Sequence, residues 1–453
     1  MMETRKFFLF IGTVTSDAAL SKLKAANIPY RLKRFESSRE NWLKIAEILE
    51  DPQLIGVVAK ITGPVYTRMS SELYAEYTTK VAESLGRVPH IVFVHEEILL
   101  GEDAPLALEP PDDDEDSPWS REEFYREYFR NPSSEAREWV NDLLRQKGVE
   151  VTPYKTNAEL SVLTASFIDD HEKNLLFRVY VPASRLYATE ADRLINLFHE
   201  WLSRTGNHPV RQDGYRTPSG QVYEFYGDDS LTPASLQVNF ADFSNFLDKC
   251  AEDPGAAIEE LSSVIPDRHT ATDLVSRYGK EARRLQVDLR HERESRIMRL
   301  RHQLETDFLE LSHTGQLPWG EVEGLIQSLI PSASSALQIV SNSPVLTGGT
   351  PVSVHINQQI VHAVESTVVQ SVQGTMNYSP EAKELLRMIQ QVGGNDASAL
   401  EVAVHEVEDE EARPEERLSA KQKLRAFLAR NREAAEGFAV GALFKYLESK
   451  LGI

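Results

Sequence analysis

Three nearly continuous apolar runs within the first hundred residues constrain the fold more than any other feature of this chain. The runs are FFLFIGTV, LIGVVAKI and HIVFV. Strands buried on both faces of a parallel sheet have this composition. Segments with helical spacing of apolar residues alternate with them. We therefore predict a small, doubly wound parallel α/β sheet, with strands at 6–14, 28–35, 54–61 and 90–94 and helices at 16–26, 39–49 and 70–85.

The middle of the chain has a different pattern. Residues 160–168, 175–181, 221–226 and a segment around Val210 predict strands, and 189–204 predict an amphipathic helix, which together are typical of an α+β domain. Two apolar stripes over 270–312 predict a long helix. Because the wholly polar residues 290–296 separate the stripes, a coiled coil and a helical hairpin or bent helix both remain open.

The fold class predicted for the whole chain is an α/β N-terminal domain, an α+β middle domain, a long helical connector and a mostly helical C-terminal module. The predicted segments are 1–100 (Rossmannoid domain), 101–118 (acidic Pro-rich linker), 119–250 (α+β domain with leading helices), 251–330 (helical connector), 331–351 (linker), 352–378 (β-prone assembly segment) and 379–453 (helical module). Residues 120–150 are compatible with either the first or the second domain.

Charge and cysteine content exclude several functional classes. The net charge of −21 repels phosphate backbones and argues against general nucleic-acid binding. A single cysteine, Cys250, excludes an internal disulfide and a Cys-rich zinc site and fits the reducing cytoplasm. No apolar run reaches the 18 or so residues of a membrane span, so we expect no membrane partner.

Ligands of open α/β sheets bind beyond the carboxyl ends of the strands. Gly12 and Thr13 follow the first predicted strand, and Thr62 and Gly63 follow the third. We predict these four residues to be ligand-binding. Glu72, or Glu76 one turn later, would lie near them early in the next helix and could act as a base or nucleophile. The alternative is that both glutamates lie on a solvated helix face.

This arrangement of a strand, a polar turn, a helix with a glutamate (SSELYAEYTTKVAESLG) and another strand (HIVFV) resembles Toll/interleukin-receptor-like and nucleoside deoxyribosyltransferase-like Rossmannoid domains. The resemblance covers about 95 residues. It implies that Glu72 or Glu76 helps to cleave the N-glycosidic bond of NAD or a nucleoside. The chain departs from those families at Thr62-Gly63-Pro64, which replaces a serine-bearing turn, and in lacking a tryptophan before Glu72, so the assignment of the glutamate stays open.

For the other candidate sites the sequence pattern favours a structural role. Nine Lys and Arg against four acidic residues between Arg277 and Arg301 could bind phosphate, but such charges more often solvate a helix or pair with acidic neighbours. Their spacing does not make His291, His302 and His313 a metal site. The nucleophile-elbow, phosphate-loop and dinucleotide glycine motifs are absent from the sequence.

Residues 352–375 carry one charge, Glu365, and many Val, Ile, Gln and Thr. This composition is typical of a self-assembly strand; the alternative is a buried hairpin, or a helix that uses the near-helical spacing of Val361, Val364, Val368 and Val372. The order of the modules resembles bacterial conflict and antiviral signalling proteins. Two functions follow as hypotheses: a cytoplasmic signalling or interaction protein that senses a nucleotide and self-associates through 352–375 and the C-terminal helices, with a protein partner, or an enzyme that cleaves NAD or a nucleotide.

Overall fold

A computed structural model describes residues 6–12, 23–24, 28–100, 132–205, 210–227, 231, 233–265, 267–311, 319–331, 358–375, 377–432 and 438–450. In chain order the elements are β1 (Phe7–Ile11), β2 (Tyr30–Lys33), α1 (Arg39–Leu49), β3 (Leu54–Ile61), α2 (Gly63–Met69), α3 (Ala75–Leu85), β4 (His90–His95), α4 (Glu96–Leu100), α5 (Ser134–Gln146), β5 (Val151–Tyr154), α6 (Asn157–Glu172), β6 (Leu175–Pro182), α7 (Ala188–Thr205), β7 (Arg211–Arg216), β8 (Gly220–Tyr226), α8 (Pro233–Glu252), α9 (Pro254–Ser262), α10 (Arg268–Leu311), α11 (Trp319–Leu329), α12 (Gln358–Gln373), α13 (Pro380–Val392), α14 (Ala397–Glu408), α15 (Pro414–Arg430) and α16 (Val440–Ser449).

The chain divides into two compact units. Unit one comprises Met1–Lys173 and Arg413–Ile453, and unit two comprises Asn174–Ala412. None of the helices that the structure describes combines the length and apolar character needed to cross a bilayer. The predicted linkers at 101–118 and 331–351 lie outside the described residues except for Pro331, as does most of the helix predicted over 16–26.

The sheet of unit one is parallel throughout, with strand order β2-β1-β3-β4-β5. This is the flavodoxin-like doubly wound order, in which the direction of winding reverses between β1 and β3. The prediction of a parallel α/β sheet from the apolar runs is confirmed, and β3 and α1 have the predicted bounds. The helix predicted over 70–85 begins later, at Ala75.

Helices cover both faces of this sheet. Successive side chains of a strand point to opposite faces, so alternate residues of β1 pack against different helices. Leu9 and Ile11 pack with apolar side chains from α1, α2, α3 and α5. Phe8 and Phe10 pack on the other face with apolar side chains from α6 and with Leu418 of α15. The C-terminal part of the chain therefore completes the core of the N-terminal sheet.

The strand predicted at Leu160–Ile168 is wrong, because these residues lie in helix α6. The helix begins with a capping box. The Thr156 hydroxyl accepts from the amide of Glu159 at 3.2 Å, and Glu159 Oε2 accepts from the amide of Thr156 at 3.4 Å. This reciprocal pair satisfies two amides that a helix N-terminus leaves without partners, and it favours the helix over the strand that the β-branched composition indicates.

Unit two contains an antiparallel sheet of order β6-β8-β7, which confirms the α+β pattern. Phe198 of α7, Phe225 of β8 and Phe243 of α8 meet in its core. Helix α10 is continuous over 44 residues, so the hairpin alternative does not apply.

Helix α12 settles the two alternatives left open for 352–375. Residues Gln358–Gln373 are helical, so the strand hypothesis is wrong there, while 352–357 lie outside the described residues. Val364 and Val368 are fully buried against Leu300 of α10 and Ile326 of α11. Val364, Val368 and Val372 are part of a packed core because their spacing matches one face of a helix.

Candidate functional site

The carboxyl edge of the parallel sheet holds Gly12, Thr62 and Gly63 where the winding reverses; Thr13 lies outside the described residues. Gly12 has φ of +87°, and a Cβ there would lie 2.6 Å from the carbonyl oxygen of Lys60 on β3. Glycine is thus required by both conformation and space. Thr62 precedes α2, and its hydroxyl donates to Glu36 Oε1 at 3.4 Å. These three predicted ligand-binding residues lie on two adjacent strand ends.

The two predicted catalytic glutamates have different surroundings. Glu72 lies in the turn between α2 and α3, and Glu76 lies in the first turn of α3. Both are exposed, and no described residue makes a hydrogen bond or ion pair with either. Tyr74, between the two glutamates in sequence, packs edge-on against Trp42 with the ring centroids 5.4 Å apart, and this contact holds the turn in place. A reacting carboxylate is normally oriented by neighbouring groups, and the described residues supply none here.

A cluster of charged side chains lies farther along the same edge, beyond β4 and β5. We call it the edge cluster: Glu96, Lys155, Glu159, Lys421, Arg425 and Glu448. Three of its members come from α15 and α16. Of the other three, Glu96 and Lys155 directly follow β4 and β5, and Glu159 lies in the first turn of α6. It contains three carboxylates and three cations, so its formal charge is zero.

Arg425 lies at the centre of the edge cluster, and its side chain is 1% exposed. Its Nη2 contacts Glu96 Oε1 and lies 3.9 Å from Glu448 Oε1, while its Nη1 lies 3.6 Å from Glu159 Oε1. Burial lowers the pKa of Arg425 to about 10, and the Glu448 carboxylate opposes the shift. The guanidinium is therefore still charged at neutral pH.

Glu159 is held in place by the backbone. Its Oε2 accepts hydrogen bonds from the amides of Lys155 and Thr156, at 2.7 and 3.4 Å. Its Oε1 is left to face Lys421 Nζ, at 3.9 Å, and Arg425. Glu448 in turn accepts from Lys155 Nζ at 3.0 Å. The capping box of α6 thus orients one carboxylate of the edge cluster.

His95, the last residue of β4, borders the edge cluster. Its Nδ1 accepts from the amide of Glu97 at 3.3 Å, so Nε2 carries the proton and donates to the carbonyl of Lys155 at 3.2 Å. Burial lowers the pKa of His95 to about 4, in spite of that backbone hydrogen bond. The imidazole is therefore neutral near pH 7 and fixes the relative positions of the ends of β4 and β5.

The remaining candidates from the sequence are the basic residues of α10 and the possible metal ligands, and the structure favours a structural role for the former. On α10, Arg284 pairs with Asp288 and Arg301 with Glu323, as expected for charges that pair with acidic neighbours. Within the part of the chain that the structure describes, no three His, Cys, Asp or Glu side chains form a group that could hold a metal ion.

Sequence reasoning missed the edge cluster. The capping-box pattern Thr156–Glu159 is readable from sequence, and Lys421 and Arg425 are one helical turn apart on the face of α15 that also carries Leu418. Basic residues on a buried helix face indicate acidic partners, but their identity depends on the tertiary fold. Comparison with known proteins adds nothing to this site, since no family model, curated protein or solved structure matches the chain.

Proposed function

We propose that the chain is a signalling or interaction protein whose N-terminal α/β unit binds a ligand or a protein partner and does not convert a substrate. The observation that carries the proposal is the contrast at the carboxyl edge of the sheet. The chain's own Arg425 fills the buried charged part of that edge, whereas Glu72 and Glu76 are exposed and no group among the described residues orients them.

The proposed ligand site is the reversal point of the sheet, at Gly12, Thr62 and Gly63. A close backbone approach and small side chains at strand ends suit a nucleotide, since phosphates and riboses bind at such points. NAD and nucleotides are therefore the ligands to test first. A cytoplasmic location and a role in bacterial defence stay predictions from the sequence.

Purified full-length protein is incubated with NAD and with a mixture of nucleosides and nucleotides, and release of nicotinamide or free base is followed by chromatography. The Glu72→Gln and Glu76→Gln variants are compared with Glu47→Gln, an exposed glutamate on α1. No release, combined with a ligand-dependent rise in the thermal midpoint, supports a binding role. Release that one of the two variants abolishes and Glu47→Gln leaves intact would establish the N-glycosidic-bond-cleaving enzyme instead.

Self-association is the second part of the proposal. Light scattering on the full chain across a concentration series tests it directly. Truncation before 352 is a poor test, because it removes Val364 and Val368 from a core and α15 from the sheet. A mass of 51.1 kDa at every concentration would refute self-association.

A further inference from the structure

We propose that the exposed face of helix α10 is a docking surface for residues 112–129 of a second copy of this chain. The inference rests on the self-association part of the proposed function and names the two surfaces that meet. The surface on α10, which we call the basic stripe, consists of Lys280, Arg283, Arg284, Val287, Arg290 and His291. The segment 112–129 lies outside the described residues.

The basic stripe follows one face of the helix. Its members are three or four residues from their neighbours along the stripe, so they project in the same direction, and all six are exposed. Leu285 and Leu289, on the opposite face, are buried. No member of the stripe is acidic, although the chain as a whole has a net charge of −21. The stripe is therefore a surface whose charge is opposite in sign to that of the molecule.

Three cations of the stripe have no carboxylate partner among the described residues. Lys280 and Arg290 make no hydrogen bond or ion pair with a described residue, and Arg283 donates only to a backbone carbonyl, at 3.3 Å. Arg284 differs from them, since it lies 3.8 Å from Asp288. The pairing seen for some basic residues of α10 thus does not extend to the whole exposed face, which attracts a negatively charged partner.

Two exposed apolar side chains lie along the same line. Val287 is 48% exposed within the stripe, and Met298, eleven residues or about three turns later, is 62% exposed. Methionine and arginine are both enriched at protein interfaces. A matching partner therefore supplies apolar groups as well as negative charge.

Residues 112–129 have that composition. The run Asp112–Asp116 is wholly acidic, and the segment has eight acidic residues against two arginines. Its aromatic residues follow the acidic run: Trp119, Phe124, Tyr125, Tyr128 and Phe129. Aromatic rings pack on apolar side chains and also attract guanidinium groups. A segment of 18 residues reaches about 27 Å even in a helical conformation, which equals the distance along α10 from Lys280 to Met298.

Charge also decides how two copies approach each other. Molecules with a net charge of −21 repel one another, so association is favoured where the acidic segment of one copy meets the stripe of the next. These are two different surfaces, so the contact is heterologous and can be repeated from copy to copy. We expect the dissociation constant to rise at least tenfold from 0.1 M to 1 M NaCl, because the screening length falls from about 10 Å to about 3 Å.

The first experiment uses two full-length variants with opposite changes. Variant A carries Lys280→Glu and Arg290→Glu, and variant B carries lysine in place of Asp112, Asp114 and Asp116. Light scattering over a concentration series should give a mass above 51.1 kDa for the wild type, and a dissociation constant at least ten times higher for each variant alone. An equimolar mixture should associate about as tightly as the wild type, because the lysines of B then meet the glutamates of A.

A control variant with Lys44→Glu and Lys423→Glu reverses the same number of charges at exposed positions on α1 and α15 and should associate like the wild type. Equal association of variant A and this control, or a mixture of A and B that does not associate, would overturn the docking proposal and leave self-association standing. A wild-type mass of 51.1 kDa at every concentration would overturn both.

The second experiment needs only the wild-type chain and decides the question if variant A does not fold. A fluorescent peptide with the sequence of residues 110–130 is titrated with full-length protein, and its anisotropy is followed. A matched peptide carries asparagine at each position of the run Asp112–Asp116. We expect the matched peptide to bind at least ten times more weakly. Equal binding of the two peptides, or no binding of either, would contradict the proposal.

Discussion

Replacing Arg425 with methionine tests whether the edge cluster holds α15 against the sheet of unit one. Methionine keeps most of the apolar stem and removes the charge. Glu96 and Glu159, with side chains 11% and 4% exposed, then face each other without the guanidinium. Removing one partner of a buried ion pair costs about 3–5 kcal/mol. Because Lys421 still lies 3.9 Å from Glu159, we expect the lower figure, about 3 kcal/mol.

Hydrogen exchange measured by mass spectrometry reports this free energy locally. A loss of about 3 kcal/mol raises the open population of α15 roughly a hundredfold, since each 1.4 kcal/mol is a factor of ten. Exchange of residues 418–428 should therefore be about a hundred times faster in Arg425→Met. Lys423→Met, on the exposed side of the same helix, should change it less than about threefold, as surface substitutions do.

A second substitution separates charge from packing. Adding Glu96→Gln to Arg425→Met replaces one uncompensated carboxylate by a neutral amide, so part of the lost protection should return. An exchange rate in Arg425→Met within about fivefold of the Lys423→Met rate, a difference of only about 1 kcal/mol, would refute the reasoning. So would a double variant that exchanges faster than the single one.

Three further predictions concern other parts of the molecule. Gly12→Ala should lower the thermal midpoint more than Gly148→Ala, because both glycines have positive φ but only at Gly12 would the added Cβ meet backbone, 2.6 Å away. Tyr180→Phe removes a buried hydroxyl that donates to Asp409 Oδ2 at 2.7 Å, so urea unfolding should show a loss of about 1–2 kcal/mol that shrinks in an Asp409→Asn background. Burial lowers the pKa of His95 to about 4, so the unfolded chain, with a histidine pKa of about 6.5, binds more protons between these pH values. Stability should fall by about 2 kcal/mol between pH 7.5 and 5, and a His95→Gln variant, measured by urea midpoints, should lose less.

The sheet of unit one was predictable because burial on both faces leaves a strong compositional signal. The runs at β1, β3 and β4 contain almost only apolar residues, so their pairing as parallel strands follows. The signal fails where composition and local hydrogen bonding disagree. Residues 160–168 have the composition of a strand, yet the Thr156–Glu159 capping box starts a helix there.

The sequence predicted where in the fold the candidate site lies, but not the charged residues that form the edge cluster. The carboxyl edge follows from the topology rule, and Gly12, Thr62 and Gly63 lie on it. The edge cluster joins Glu96 to Arg425, which are more than 300 positions apart. The periodicity of apolar residues reports only on contacts within one helix or strand and its face. It cannot predict that Glu96 and Arg425 pair, because they meet only when the C-terminal segment folds back onto unit one.

Unit one is interrupted by about 240 residues of unit two before α15 and α16 complete it. During synthesis at roughly 5–20 residues per second, the ribosome needs about 12–48 s to make that insertion. Throughout this interval the nascent sheet lacks Leu418, and Glu159 lacks both its α15 cations. The N-terminal segment therefore completes its folding only after α15 and α16 are made. Until then the sheet face that carries Phe8 and Phe10 exposes apolar surface to which chaperones can bind.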